Sequence, residues 1–168
     1  MSYTLPEFLA HAIAMERESA ERYLELADMM ETYNNIDVSA LFREMNRYSV
    51  MHHDSVKERA GSIELPEIKS WQYRWVTPPE MTDEEAFDRE LDAFTALQYA
   101  HENELRAMNF YQSVAAESDD QEVKRLATEF AAEEEEHAAA LDRWIAKTPR
   151  PSVTFDQDPE SNVMDKHQ

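Results

Sequence analysis

Three glutamates and a histidine stand where apolar side chains belong. In residues 5–33 a helical stripe of Leu9, Ala12/Ile13, Ala20, Tyr23 and Ala27 is interrupted at Glu16. A second stripe, Phe94, Leu97, Ala100, Ala107/Met108, Tyr111 and Val114, is interrupted at Glu104. A third, Leu126, Phe130, Leu141 and Trp144/Ile145, is interrupted at Glu134 and His137 together, neighbours on one helix face. Burying an unpaired carboxylate costs several kcal/mol, and the matching interior positions offer no Lys or Arg. A divalent or trivalent cation supplies the missing charge, and carboxylate plus imidazole suits iron, manganese or zinc. Taken one at a time, each residue has a plainer role. A lone glutamate on a stripe is commonly a boundary residue reaching outward, a lone histidine a hydrogen-bonded core residue, and Glu133 to Glu136 a solvated acidic face. Their coincidence near mid-helix, at similar depth, is what points to a metal.

Four long helices are needed to position these groups. Periodicity places them at about 5–33, 38–60, 83–117 and 120–147, roughly 35–50 Å each at the helical rise. Thr4 with Glu7, Thr82 with Glu85, and Ser118 with Gln121 are capping-box patterns, Asp37 opens the second helix, and Gly61, the chain's only glycine, stops it. The connection Asn34-Asn35-Ile36 makes helices 1 and 2 neighbours, and an even tighter turn joins 3 and 4. Residues 61–82 hold Pro66, Pro78, Pro79, Trp71, Tyr73 and Trp75, a composition that suits an ordered crossover rather than a flexible linker. The expected architecture is all-α: a ferritin-like four-helix bundle over 1–148, two hairpins joined by a long crossover, with 149–168 as an extended or disordered tail.

The hairpins repeat. Glu16 and Tyr23 of helix 1 superpose on Glu104 and Tyr111 of helix 3 at a constant offset. Leu41, Glu44 and His52 of helix 2 superpose on Leu126, Glu129 and His137 of helix 4. His52 thereby joins the ligand candidates, and is favoured over His53 because 41, 45, 49, 52 and 56 form one stripe.

Composition narrows the alternatives. One glycine in 168 residues disfavours Rossmann, P-loop and β-sandwich folds, which depend on tight glycine turns. With no cysteine, thiol nucleophiles, disulfides, zinc ribbons and cysteine-ligated iron are excluded from this chain. A net charge of −20 repels phosphate backbones and anionic lipid, so nucleic-acid and membrane partners are not expected. No apolar run approaches a membrane span and the first residues lack a basic region followed by an apolar core, so a cytoplasmic location is expected.

Glu16 with Tyr23, Glu104 with Tyr111, and Glu134-x-x-His137 within AAEEEEHAAAL resemble the rubrerythrin branch of the ferritin-like superfamily over roughly residues 5–147. That resemblance implies a carboxylate-bridged di-iron site reacting with peroxide or dioxygen, and tyrosines, here Tyr23 and Tyr111, that hydrogen-bond the ligands or act as redox-active neighbours. The chain departs from the family pattern in three places. The second Glu-x-x-His reads Ser49-Val50-Met51-His52, the additional glutamate one turn after the helix 3 ligand is Ala107, and no cysteine-ligated iron domain is present.

The ligand set is then Glu16, His52, Glu104, Glu134 and His137, with Ser49, Tyr23, Tyr111 and His101 as neighbours, His101 being a substitute nitrogen if it turns inward. Three carboxylates suit one divalent ion, so one tight position is expected nearest Glu104, Glu134 and His137, with a weaker second or none; spacing does not say which of them shares a metal with Glu16 or His52. Iron is the expected ion, manganese and zinc the alternatives, one or two per chain. Three functions compete: a metal-binding protein in iron handling or the oxidative-stress response; an oxidoreductase that reduces peroxide or oxidises ferrous iron, fed by an external electron donor; and a dimerisation scaffold without metal. A homodimer is expected, with Trp71 and Trp75 covering its surface.

Overall fold

The computed structural model describes residues 2–72 and 92–152. Four helices carry the fold: α1 (Leu5–Thr32), α2 (Ile36–Ala60), α3 (Ala93–Glu117) and α4 (Gln121–Lys147). There is no strand among the described residues, and the architecture is an all-α four-helix bundle.

Local chemistry explains most of the helix ends. Thr4 and Glu7 close the expected capping box: the Thr4 N–H donates to Glu7 Oε2 at 3.0 Å and the Glu7 N–H to Thr4 Oγ1 at 3.4 Å. Three other boundaries differ from the sequence reading. The third helix, expected from 83, opens at Ala93, where Asp92 caps it by accepting from the Thr95 N–H at 2.8 Å. α2 opens at Ile36 after Asn35, so Asp37 lies in its first turn, where its charge opposes the positive helix end. The turn before it uses Asn34 at φ 61, a left-handed conformation that asparagine tolerates better than most residues. Ser118 and Gln121 form no capping box either. Ser118 ends α3, and Asp120 caps α4 by accepting from the Glu122 and Val123 N–H groups. Thr82 and Glu85, most of the crossover with Trp75, and nearly all of the tail lie outside the described residues. Gly61 ends α2 at φ 52, as expected of a glycine stop.

The interior is divided in two. One apolar cluster joins the first half of α1 (Phe8, Leu9, Ala12) to the end of α2 (Val56), the end of α3 (Phe110, Tyr111) and the start of α4 (Leu126, Phe130). The other joins the second half of α1 (Leu26, Met30) to the start of α2 (Leu41, Phe42), the start of α3 (Leu97) and Leu141 of α4. This pairing makes each hairpin antiparallel and sets α2 parallel to α3, which is why the connection between them must travel the length of the bundle. Burying side chains such as Phe8, Phe42 and Leu97 contributes about 1.5–3 kcal/mol each, and all three are fully enclosed. Between the two clusters lies a layer in which Glu16, Ser49, Glu104 and Glu134 are buried, with His52 and His137 half-buried beside them.

Candidate metal centre

Each helix delivers its polar residues to that middle layer because the apolar residues on either side anchor it. On α1, Met15 belongs to the first cluster and Tyr23 to the second, so Glu16 is held between them. Ala100 and Phe110 do the same for Glu104, and Ala131 and Leu141 for Glu134 and His137. The three glutamates are 5 %, 4 % and 5 % exposed (Glu16, Glu104 and Glu134 in turn), so none reaches solvent as a boundary residue would. No Lys or Arg pairs with any of them among the described residues; their ion-pair partners are His52 and His137.

Two groups of three residues converge here. Glu16, His52 and Glu134 offer one atom each within 4.8 Å of one another, and so do Glu104, Glu134 and His137. Glu134 is common to both. His137 Nδ1 stands 3.6 Å from Glu104 Oε2 and 3.5 Å from Glu134 Oε2, and His52 Nδ1 stands 4.0 Å from Glu16 Oε1. The two imidazoles stack at 5.3 Å with 19° between their planes. These nitrogen–oxygen gaps are long for hydrogen bonds, whereas two atoms bound to one ion at about 2.0–2.2 Å, at tetrahedral angles, stand about 3.5 Å apart. The buried His52 Nδ1 has no hydrogen-bond partner, an expensive state for a polar atom that a cation would relieve. The residues therefore fit a carboxylate- and imidazole-bound metal.

Burial at the centre favours the protonated form of two of the three carboxyls. Burial pushes the Glu134 carboxyl well above its usual range, and the charge of Glu104 together with hydrogen bonds to Glu104 and Glu16 pushes it further. Burial, then the Glu104 charge, raises Glu16 to about 8. Burial also acts to raise Glu104, but hydrogen bonds from Glu134, His137 and Tyr23 outweigh it and leave Glu104 below the ordinary value. Glu104 is thus the carboxylate of the metal-free site and Glu134 its proton-bearing donor. Burial, with the neighbouring His137, lowers His52, which keeps its imidazole neutral and fit to bind a metal.

The tyrosines follow the repeat. The Tyr23 hydroxyl donates to Glu104 Oε1. Tyr111, its counterpart, is fully buried and close enough to Glu16 to lower that carboxyl's pKa, although its hydroxyl makes no hydrogen bond of good geometry. Ser49 is buried at the centre but belongs to neither three-residue group; its hydroxyl donates to Ser19 Oγ at 3.2 Å. His101 does not turn inward: its Nε2 lies 3.0 Å from Asp142. His53 faces Asp54 at 3.0 Å, outside both groups. One residue near the centre was hidden by its surroundings. Glu133 sits inside a four-glutamate run that reads as a solvated face, yet its Oε2 is 3.5 Å from His52 Nε2. The signal that could have found it is the same one that found His52, since the helix that turns Glu134 and His137 inward carries Glu133 to their flank.

Comparison with known proteins shows the family. The family model described as Rubrerythrin matches residues 7–96, which include Glu16 and His52. The model described as Ferritin-like domain matches residues 92–167, which include Glu104, Glu134 and His137. No curated protein matches the chain. A crystal structure of an uncharacterised conserved protein from Magnetospirillum magnetotacticum MS-1 is 58% identical, covers 90% of this chain and 100% of its own, and superposes with a TM-score of 0.80. Four helices, the paired glutamates and the family match over more than half of the residues lead to one assignment: the chain belongs to the rubrerythrin family of the ferritin-like superfamily.

Proposed function

We propose that this protein binds iron at two adjacent positions that share Glu134, and that it works in iron handling or the response to oxidants. The ligands in this reading are Glu16, His52 and Glu134 on one side and Glu104, Glu134 and His137 on the other. One observation carries it: three buried carboxylates converge with no Lys or Arg among the described residues to neutralise them. Iron is favoured by the oxygen-rich, mixed imidazole set, with manganese and zinc as the competing ions. Ser49 stands where the repeat calls for a fourth carboxylate, and a neutral hydroxyl is a poor substitute. Bound iron would supply redox chemistry. This chain's own residues would hold the ion between two apolar clusters, and burial there favours protons on Glu134 and Glu16.

A second reading, an oxidoreductase that reduces peroxide or oxidises ferrous iron with an external electron donor, is favoured by Glu134 belonging to both three-residue groups, since adjacent ions would supply two-metal chemistry. Elemental analysis of protein purified without chelator tests the binding that both readings require. At least one iron per chain is expected; a metal-free protein would leave only the scaffold reading. Ser49→Glu separates the two. If the missing carboxylate has silenced two-electron chemistry, the variant gains an iron-dependent peroxidase activity that the wild type lacks. Unchanged turnover in an already active wild type would favour the oxidoreductase. The reading also includes a homodimer covering Trp71, which is 80% exposed; a monomeric mass by light scattering would remove that part.

A further inference from the structure

The two halves of the centre are related by the hairpin repeat, so their differences are informative. His137 presents one nitrogen, Nδ1, to both Glu104 and Glu134. His52 instead lies between two carboxylates, Nδ1 toward Glu16 and Nε2 toward Glu133 at 3.5 Å. The repeat that maps His52 onto His137 maps Tyr48 onto Glu133 and Ser49 onto Glu134. Each residue at this position, one from each hairpin, lies against the histidine of the opposite hairpin. Tyr48 stacks on His137 at 5.9 Å and 23°, and Glu133 meets the edge of His52. The half that lost its own carboxylate at Ser49 is therefore the half that has a carboxylate behind its histidine.

We propose that Glu133 is a positioning residue for His52. Its carboxylate, 3.5 Å from Nε2, is the acceptor that draws the ring proton to that nitrogen, favouring the tautomer that leaves the Nδ1 lone pair turned toward Glu16 and Glu134. A metal-binding histidine needs such a partner, because the hydrogen bond at one nitrogen decides which tautomer is present and strengthens the other nitrogen as a ligand. The neighbours leave Glu133 available for this. Arg59, the nearby cation, is committed to Glu129 at 2.6 Å. Glu133 is only partly exposed, and its negative charge also stands close enough to offset some of what Ser49 does not supply. This inference rests on the proposed metal binding, but the contact between Glu133 and His52 is testable without metal.

The experiment uses the full chain, labelled with 15N-histidine, as wild type, Glu133→Gln and Glu133→Ala. In metal-free protein, long-range 1H–15N correlation spectra read the tautomer of each ring. The wild type and Glu133→Gln, whose amide oxygen still accepts, are expected to show His52 protonated at Nε2, and Glu133→Ala a mixture of tautomers. Cobalt(II) is then titrated while the hyperfine-shifted ring N–H signals of His52 and His137 are followed. Glu133→Ala is expected to lose about 10–100-fold in cobalt affinity at the His52 signal, with the His137 signal unmoved. An unchanged His52 tautomer and affinity in Glu133→Ala, or equal weakening at both histidines, would overturn the proposal. If no variant, wild type included, takes up cobalt, the metal-binding reading has failed, while the metal-free spectra still decide whether Glu133 holds the ring.

Discussion

Glu134→Gln empties both metal positions at once, whereas Glu16→Gln and Glu104→Gln each empty one. The expectation follows from the shared membership of Glu134 in the two three-residue groups. Each position has three candidate ligands, so losing Glu134 leaves each with one carboxylate and one imidazole. A neutral amide neither bridges two cations nor supplies the charge that draws them inward. The loss should exceed the roughly 100-fold typical of removing a mere supporting partner of a ligand. Glutamine is the informative substitution because the fold should tolerate it. In the metal-free chain the single O–H of protonated Glu134 hydrogen-bonds to a neighbouring carboxylate, Glu104 foremost, and an amide N–H can donate to the same oxygen. Thermal stability with chelator should therefore match the wild type while metal content falls to background. Isothermal titration with cobalt and elemental analysis of the purified variants provide the check. Retention of wild-type metal content in Glu134→Gln would refute the shared position.

The metal-free protein loses stability as pH rises from 6.5 to about 8, and metal removes the loss. Glu16 and Glu134 both have folded-state pKa values raised above the ordinary 4.5, Glu16 to about 8. The folded chain then holds protons that the unfolded chain has released, and stability must fall with pH through that interval. Glu104 and His52 have lowered values and work in the opposite direction. Glu104 contributes stability above 4.5 that disappears only on further acidification, and His52 matters mainly below 6.5, where the unfolded imidazole becomes charged. From 6.5 to 8 the carboxylates dominate. One retained proton across that interval corresponds to about 2 kcal/mol, or a fall of about 4–8 °C in Tm for a chain of this size. Thermal unfolding with chelator at several pH values should show the decline, and saturation with ferrous iron or cobalt under anaerobic conditions should flatten it. Because the ion replaces those protons, its affinity should rise over the same range. A metal-free Tm that stays level between pH 6.5 and 8 would mean that the buried carboxylates are not held protonated.

Much of this centre is legible from spacing alone, because a helix converts sequence separation into a face. Glu16, Glu104, Glu134 and His137 show themselves by interrupting apolar stripes, and His52 by the repeat. Asp120 was less legible, since Ser118, Asp119 and Asp120 are all competent caps and only the packing of the α3–α4 turn selects among them. His101 could not be placed, because rotation of α3 by a fraction of a turn decides between the interior and Asp142.

The order of apolar and polar residues along four helices determined by itself that this chain is a four-helix bundle with acidic groups inside, since burying those stripes leaves few other arrangements. Tertiary structure alone decided that Glu134, rather than Glu104 or His137, belongs to both groups, and that Glu133 stands behind His52. Those relations join residues on different helices, and the separation of facing side chains depends on how the hairpins are rotated and offset against each other. No periodicity within one helix carries that information.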